Sequence, residues 1–353
     1  MTLEATAFLS AARWRGVGLL CLCLVALVLA VLVAVAVGAV AIPLPAVVGL
    51  LLARLPFLSP TVAYPETFKT ILFEIRLPRV ALTAVMGASL AAAGATYQGL
   101  FRNPLADPYL VGVASGAGLG ATIVLTLNLP STILGLSAVP LAAFAGAILT
   151  VALVVLSAQV GRTTPITTML LAGVALGAFA SAFTTFLMLR SPDGMHRAFN
   201  WLLGGYSGGG WLPFWLVLPY LVVGLVVLQI NARALNVLQL DEEQARQLGI
   251  NVERLKLALV VAATLMTAAA VAFGGLVGFV GLVVPHVLRL LGGPDHRWLI
   301  PLSAVGGAAF LILADLIART AIAPTELPVG IVTALIGAPF FVFLLRRLKR
   351  SVF

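Results

Sequence analysis

The sequence has 353 residues, of which 61% are hydrophobic and only 9% are charged, and its mean hydropathy is +1.14. Ordinary soluble domains carry roughly 25% charged residues, so a soluble protein of this length could not bury so much apolar surface. The lipid bilayer must act as the solvent for much of the chain, and the sequence predicts a polytopic membrane protein. The net charge of +9 does not indicate nucleic-acid binding, because no basic and aromatic patch accompanies it.

Ten segments are long and apolar enough to cross a bilayer, which takes about 20 residues for roughly 30 Å of hydrocarbon. They are residues 17–38, 78–101, 108–127, 140–160, 166–189, 211–230, 255–273, 277–291, 301–320 and 328–345. The first could be a signal peptide, but its apolar run is longer than the roughly 7–15 residues of an h-region, so we predict an uncleaved helix. The eighth is short, begins among glycines and contains Pro285, so we expect it to be broken or partly re-entrant.

The distribution of basic residues predicts the orientation. With ten crossings, fourteen of the 21 Lys and Arg residues lie on the side of both termini and seven on the other side. Positively charged loops stay in the cytoplasm, so both termini are predicted to be cytoplasmic, in the cytoplasmic (inner) membrane. Short interfacial helices are then expected outside at 47–54 and 66–75. The segment 190–210 is expected to add an outer loop and a short helix.

The longest cytoplasmic loop is predicted at residues 231–254. Its early acidic residues and Gly249 suit a pair of short amphipathic helices with a glycine C-cap. No low-complexity linker divides the chain, so residues 1–353 are predicted to form a single transmembrane domain.

Three motifs surround the second span. They read Ile-Arg-Leu-Pro-Arg at 75–79, Gln-Gly-Leu-Phe-Arg-Asn-Pro-Leu-Ala-Asp-Pro at 98–108, and Gly-Val-Ala-Ser-Gly-Ala-Gly at 112–118. Together with residues 278–294 and 326–340, the chain resembles the permease subunits of ABC importers for iron(III)-siderophores, haem and cobalamin, called FecCD-type or type II permeases. The resemblance implies a homodimer that works with two ATP-binding subunits and an extracytoplasmic substrate-binding protein. ATP and Mg would be used by the ATPase partner, and no cofactor is expected on this chain.

The first group of candidate site residues lies at the outer membrane surface. Arg76 and Arg79 begin the second span, and Arg319 ends the ninth. By the resemblance, these arginines receive glutamates from the two lobes of the substrate-binding protein. Two other interpretations stay open: the guanidinium groups reach lipid headgroups, or Arg319 pairs with Asp315 one helical turn earlier.

The second group is a cytoplasmic gate. Pro104 and Pro108 stop helical continuation after the second span. The resemblance assigns the gate to this turn and to the loop 163–168, with Asn103, Leu105, Thr167 and Thr168 as its residues. A purely structural turn is the alternative.

The third group lies in the cytoplasmic loop, where Glu-x-Ala-x-x-Leu-Gly resembles the helix that couples the family's permeases to their ATPase. The residues assigned to it are Asp241, Glu243, Ala245, Arg246, Leu248 and Gly249. A solvated connector is the alternative, but it would place several leucines in water, among them Leu235, Leu238 and Leu240.

The last predictions concern helix packing and metal binding. Gly112, Gly116 and Gly120 form a stripe that favours close helix packing over pore lining. The three histidines are scattered, and Cys21 and Cys23 are two residues apart on a helix, so no metal site is predicted.

Competing classes of protein lack their characteristic residues in this sequence. An ATP-independent secondary transporter or channel would usually show ionisable groups at the bilayer midplane, whereas of the carboxylates only Asp315 could lie within a span, and it is near the span's end. An intramembrane enzyme would need a catalytic pair inside the spans. None of the three lysines follows a glycine as a phosphate-binding loop requires, so the chain is not expected to be an enzyme, and ATP hydrolysis is assigned to a partner.

Overall fold

Fourteen α-helices make up most of the described chain, which in this computed structural model comprises residues 2–38, 40–54, 64–127, 129–133, 136–205 and 209–349. The helices are α1 (Thr2–Ala36), α2 (Leu44–Leu52), α3 (Glu66–Thr70), α4 (Leu77–Leu100), α5 (Val113–Thr126), α6 (Ala138–Ala158), α7 (Ile166–Arg190), α8 (Pro192–Leu202), α9 (Leu212–Leu238), α10 (Glu242–Gln247), α11 (Val252–Gly274), α12 (Val280–Gly292), α13 (His296–Thr320) and α14 (Val329–Lys349). A π-helical segment (Ile71–Arg76) joins α3 to α4, and a 3-10 turn (Pro108–Val111) precedes α5. Strands β1 (Thr132–Ile133) and β2 (Leu136–Ser137) form a short antiparallel hairpin before α6.

Ten of these helices occupy the ten predicted spans. Seven helical runs are long and apolar enough to cross a membrane: α1, the continuous run Glu66–Leu100, α6, α7, α9, α11 and α13. The shorter apolar helices α5, α12 and α14 lie at the third, eighth and tenth predicted spans. The prediction of an all-α polytopic membrane protein with additional short helices is therefore confirmed.

Helix α4 lies at the centre of the bundle. Of its most apolar 18 residues, 89% are buried inside the protein, against 17% for α1 and for α7. A side chain at Gly87 would overlap the carbonyl oxygen of Gly307 in α13, and one at Gly94 would overlap that of Gly281 in α12. Small residues allow this close approach of helix backbones in lipid. The glycines and alanines of α4 thus bring three helices together and position the motifs at both of its ends.

The expected break lies at the start of the eighth predicted span and not at Pro285, since α12 runs continuously from Val280 to Gly292. Helix α11 ends at Gly274, and the chain leaves helical geometry until Val280, with Phe279 in the left-handed region at φ 68°. The Tyr109 hydroxyl donates to the carbonyl oxygen of Val277 at 3.0 Å and accepts its N–H at 3.2 Å. Irregular backbone at membrane depth is tolerated where protein covers it. Tyr109 satisfies these backbone groups.

Two boundaries differ from the sequence prediction. Helix α9 continues to Leu238, so only residues 239–251 separate it from α11, and the predicted pair of short helices in 231–254 is reduced to α10 alone. The cause is a fully buried stripe at helical spacing, formed by Leu228, Ala232, Leu235 and Leu238, which extends α9 beyond the span. The predicted interfacial helix at 66–75 is not separate, because it runs into α4. The predicted short helices in 47–54 and 190–210 are present as α2 and α8.

Candidate functional site

Arg76, the first of the predicted docking arginines, points into the protein. It is only 6% exposed, and its guanidinium donates to the carbonyl oxygens of Val35 at 2.6 Å, of Ala36 at 3.0 Å, and of Val40. These carbonyls belong to the end of α1 and the turn after it, where a helix has unpaired acceptors and the negative end of its dipole. Arg76 therefore caps α1. Its docking role stays a prediction that would require these hydrogen bonds to open.

Arg79 and Arg319 share one buried carboxylate. Arg79 Nη2 lies 2.8 Å from Asp315 Oδ1, and Arg319 Nε lies 3.0 Å from Asp315 Oδ2. The Asp315 side chain is 4% exposed, whereas Glu326, whose Oε2 lies 2.9 Å from Arg79 Nη1, is 52% exposed. The pairing of Asp315 with Arg319 is confirmed. This outer charge cluster (Arg79, Asp315, Arg319 and Glu326) ties α4 to α13 and to the loop that follows α13.

Glu326 was missed as a site residue by the sequence reasoning. It lies in the loop between α13 and α14, and it is the exposed edge of the outer charge cluster. The available signal was a lone acidic residue in an otherwise apolar stretch, placed between the outer ends of two spans. A carboxylate in that position is expected to find a cation, and arginines at the neighbouring span ends supply it.

The turn after α4, predicted as one half of the gate, is fixed by its own side chains. Arg102 has φ 51°, Asn103 Oδ1 accepts the N–H of Leu105 at 2.9 Å, and Asp107 accepts the N–H of Tyr109 at 2.8 Å. Burial raises the pKa of the Asp107 carboxyl to about 6, against the opposing effect of the Tyr109 N–H. Asn103 is exposed and Leu105 is half-buried. Their gate role stays a prediction.

The second predicted gate turn connects α6 to α7. The Thr168 hydroxyl lies 2.8 Å from the carbonyl oxygen of Pro165 and 3.0 Å from that of Ala158, so it joins the first turn of α7 to the last turn of α6. Thr167 is exposed on the surface of α7. Thr168 thus holds two helices together, and the gate role of Thr167 and Thr168 stays a prediction.

Helix α10, the predicted coupling helix, has a capping residue at each end. Asp241 is its N-cap and accepts the N–H of Glu243 at 3.2 Å. Gly249 follows the helix with φ 81°, and the N–H groups of Gly249 and Ile250 reach the carbonyl oxygens of Arg246 and Ala245. The predicted glycine C-cap is therefore confirmed, because this left-handed position favours glycine.

The two faces of the α10 region differ in burial. Ala245 is fully buried against the protein, whereas Leu248 is 69% exposed and Leu240 is 71% exposed. Leu240 was not among the predicted coupling residues. Leu235 and Leu238, which a solvated connector would place in water, are fully buried in α9. Leu240 and Leu248 therefore form an exposed apolar pair that flanks a short helix.

The glycines predicted for helix packing lie against α6. A side chain at Gly116 or Gly120 would overlap the carbonyl oxygen of Gly146 or Ala142, respectively. Gly112 differs from the predicted stripe because it lies before α5, at φ 88°, where it ends the 3-10 turn. The break after Gly112 allows the chain to change direction between the gate turn and α5.

Comparison with known proteins finds relatives that are named as permeases. Residues 25–347 match the model of the FecCD transport family. The cobalamin import system permease protein BtuC of Halobacterium salinarum is 49% identical over 300 residues, covering 83% of this chain and 80% of that protein. The hemin transport system permease protein HmuU of Yersinia pestis is 43% identical over 285 residues, covering 79% of this chain and 84% of that protein.

A solved structure shows the same fold. A metal-chelate type ABC transporter in an inward-facing conformation aligns with a TM-score of 0.80 and 27% identity, covering 93% of this chain and 98% of that one. The ten-helix bundle, its motif order and these relatives define a multi-pass ABC transporter permease. The chain belongs to the FecCD transport family.

Proposed function

We propose that this chain is the membrane-spanning subunit of a binding-protein-dependent importer that carries cobalamin, haem or an iron chelate into the cytoplasm. The observation that carries the proposal is the exposed apolar pair Leu240 and Leu248 beside α10, on a chain that belongs to a transport family. Exposed leucines around a capped short helix are suited to insertion into a groove of a cytoplasmic partner. That partner is an ATP-hydrolysing subunit, which uses ATP and Mg, while this chain binds no cofactor.

The proposed substrate class is based on the names of similar proteins and not on a binding pocket of this chain. Two of the similar proteins are named for cobalamin and for hemin, and the solved structure for a metal chelate. All three names refer to metal chelates. With 49% identity to a cobalamin permease, cobalamin is the first substrate to test.

A second copy of the chain is the proposed partner within the membrane. Only 17% of the most apolar 18 residues of α7 are buried, as in α1, but the exposed side chains of the two helices differ in chemistry. Between Val17 and Ala36 the exposed residues of α1 are apolar, whereas Thr167, Ser181 and Thr185 are exposed among the apolar residues of α7. Lipid offers these hydroxyl groups no hydrogen-bond partner beyond their own helix, whereas an interface or a substrate pathway does. We therefore place the axis of a homodimer beside α7.

The outer charge cluster is the proposed landing point for an extracytoplasmic binding protein. Arg79 and Arg319 together carry two positive charges, and the buried Asp315 neutralises one of them. Glu326 neutralises the other from an exposed position. A carboxylate from a docking protein would compete with Glu326 for Arg79.

Glu326→Gln is therefore expected to speed association of the binding protein. The variant removes the competing negative charge while leaving Arg79 bonded to Asp315. Charges at the edge of an interface act mainly on association rate, and an exposed pair is worth about 0–1 kcal/mol, so the gain should be at most about fivefold and should vanish at high salt. Surface plasmon resonance on permease in nanodiscs measures the rate. Glu66→Gln, which removes an exposed outer carboxylate paired with Lys69, is the matched control. A slower or unchanged rate for Glu326→Gln would contradict the competition.

Both termini are proposed to lie in the cytoplasm of the inner membrane. In a variant with Cys21 and Cys23 replaced by alanine, a cysteine at Thr67 should react with a membrane-impermeant maleimide only from outside. A cysteine at Gln247 should react only from inside, because α4, α5, α6, α7 and α9 separate the two positions. Both residues are exposed, so access is not limited by packing. Labelling of both positions from the same side would overturn the topology.

The test of the proposed assembly is co-purification. The chain would be expressed with the ATPase encoded beside it, purified in detergent, and weighed by native mass spectrometry. The proposal predicts a complex of two permease and two ATPase subunits with ATP hydrolysis that responds to the binding protein. Recovery of the permease alone, at any protein concentration, would contradict it.

A further inference from the structure

A cluster of four charged side chains joins α10 to the turn before α7. Lys256, in the first turns of α11, is 5% exposed, and its Nζ lies 2.8 Å from Glu242 Oε1 and 3.6 Å from Glu253 Oε1. Arg246 Nη2 lies 3.5 Å from Glu242 and 3.6 Å from Glu253. Two positive and two negative charges balance, so the cluster needs no ion or partner subunit to neutralise it.

The cluster holds the α6–α7 turn through backbone groups. Glu253 Oε2 accepts the N–H of Thr164 at 2.9 Å, and Lys256 Nζ donates to the carbonyl oxygen of Thr164 at 3.3 Å. The backbone N–H and the carbonyl oxygen of Thr164 are thus both hydrogen-bonded to the cluster. A buried, charge-assisted contact of this kind transmits displacement, because breaking it would leave Lys256 buried without its carboxylates.

A second ionic contact links α10 to the other predicted gate turn. Asp241, the N-cap of α10, has Oδ1 3.7 Å from Nη1 of Arg102, the residue before Asn103. Arg102 adopts φ 51°, so the chain turns sharply at the residue that makes this contact. The six residues of α10 are therefore joined by charged groups to the turns at both Asn103 and Thr164.

We propose that Glu242, Glu253 and Lys256 are positioning residues that carry the movement of α10 to the Thr164 turn, while Asp241 and Arg102 carry it to the Asn103 turn. This inference rests on the proposed function, in which an ATPase moves α10. The two turns then shift together, so both halves of the gate open in the same step. None of the three positioning residues touches substrate.

The test measures coupling rather than assembly. Lys256→Met and Glu253→Gln would be reconstituted in proteoliposomes with the ATPase and the binding protein, and cobalamin uptake per ATP hydrolysed would be compared with the parent. We expect the complex to assemble and hydrolyse ATP near the parental rate, while uptake per ATP falls about fivefold or more, in the usual range of coupling between sites.

Arg254→Met is the matched control, because Arg254 is an exposed cation in the same turn of α11 and lies outside the cluster. Should Lys256→Met fail to fold, Glu253→Gln carries the test, since it keeps the shape of the side chain and removes the negative charge that pairs with Lys256 and Arg246. A structural role alone would lower yield or melting temperature and leave uptake per ATP unchanged, and that result would overturn the inference. A parent permease that never binds the ATPase would instead contradict the proposed function, and this inference with it.

Movement of the turn gives an independent readout. Spin labels on Thr163→Cys in the two copies, with Cys21 and Cys23 replaced, report the distance between the α6–α7 turns across the dimer. Thr163 is exposed and lies next to Thr164, so the label need not disturb the cluster. ATP should change this distance in the parent and leave it unchanged in Lys256→Met. An equal change in both would overturn the inference.

Discussion

Replacing Leu248 with aspartate is expected to separate the ATPase from the membrane subunit. Leu248 is 69% exposed at the end of α10, where it can fill a hydrophobic groove on a partner. Full burial of a leucine side chain is worth about 1.5–3 kcal/mol, and the aspartate adds the cost of an unpaired charge, so binding should weaken by roughly 30-fold or more. Co-purification and binding-protein-stimulated ATP hydrolysis measure the loss. Expression should be unaffected because the loop lies outside the bilayer.

Gln247→Asp is the control for Leu248→Asp. It adds the same negative charge to the adjacent exposed position without removing an apolar side chain. Normal ATPase recovery with Gln247→Asp and loss with Leu248→Asp would identify the leucine as the anchor. Parental recovery and parental stimulation with Leu248→Asp would mean that α10 is only a connector.

Arg79→Glu is expected to destabilise the outer ends of α4 and α13. The variant places a third carboxylate beside Asp315 and Glu326, and Asp315 is only 4% exposed. Arg319 keeps Asp315 paired, so the loss of Arg79 costs less than the about 3–5 kcal/mol of a buried charge left without a partner, but repulsion among the three carboxylates adds to this cost. The 17% exposure of Arg79 allows some screening by water. The melting temperature of the detergent-purified protein should fall clearly, and docking of the binding protein should be lost.

Lys69→Glu provides the comparison for Arg79→Glu. It reverses an outer cation of the same helical run, whose partner Glu66 is one turn away and exposed. An exposed pair is worth at most about 1 kcal/mol, so the melting temperature should barely change. If the two variants melted alike, the outer charge cluster would not hold α4 to α13.

The membrane fold is predictable because it is a property of composition and segment length. Continuous apolar runs identify the spans, and the glycines at 274 and 275 identify the break before α12. The motifs place the residues predicted for the gate and for coupling near span ends, and Gly249 marks a helix end because its backbone needs a left-handed conformation. These features depend on neighbours in sequence, and local chemistry is sufficient to predict them.

Contacts between distant segments could not be predicted in the same way. Arg76 has the position of a docking residue in the sequence, but it caps α1 some 40 residues earlier, because the turn after α1 folds over it. The end of α9 looks like an amphipathic loop until α13 and α4 supply the surface that buries Leu235. Lys256 resembles an ordinary cytoplasmic lysine in the sequence, and its partners Glu242 and Thr164 come from two other segments. Charge pairs between residues far apart in the chain produce no periodic pattern in the sequence from which they could be predicted.

Uptake of cobalamin into proteoliposomes tests the central claim most directly. The liposomes would contain this permease with its ATPase, the binding protein would be outside, and ATP would be enclosed within. We predict accumulation of cobalamin only when all three proteins and ATP are present, and none when the permease carries Leu248→Asp. Accumulation by the permease alone, with or without ATP, would contradict an ATPase-driven importer and indicate a secondary transporter or channel.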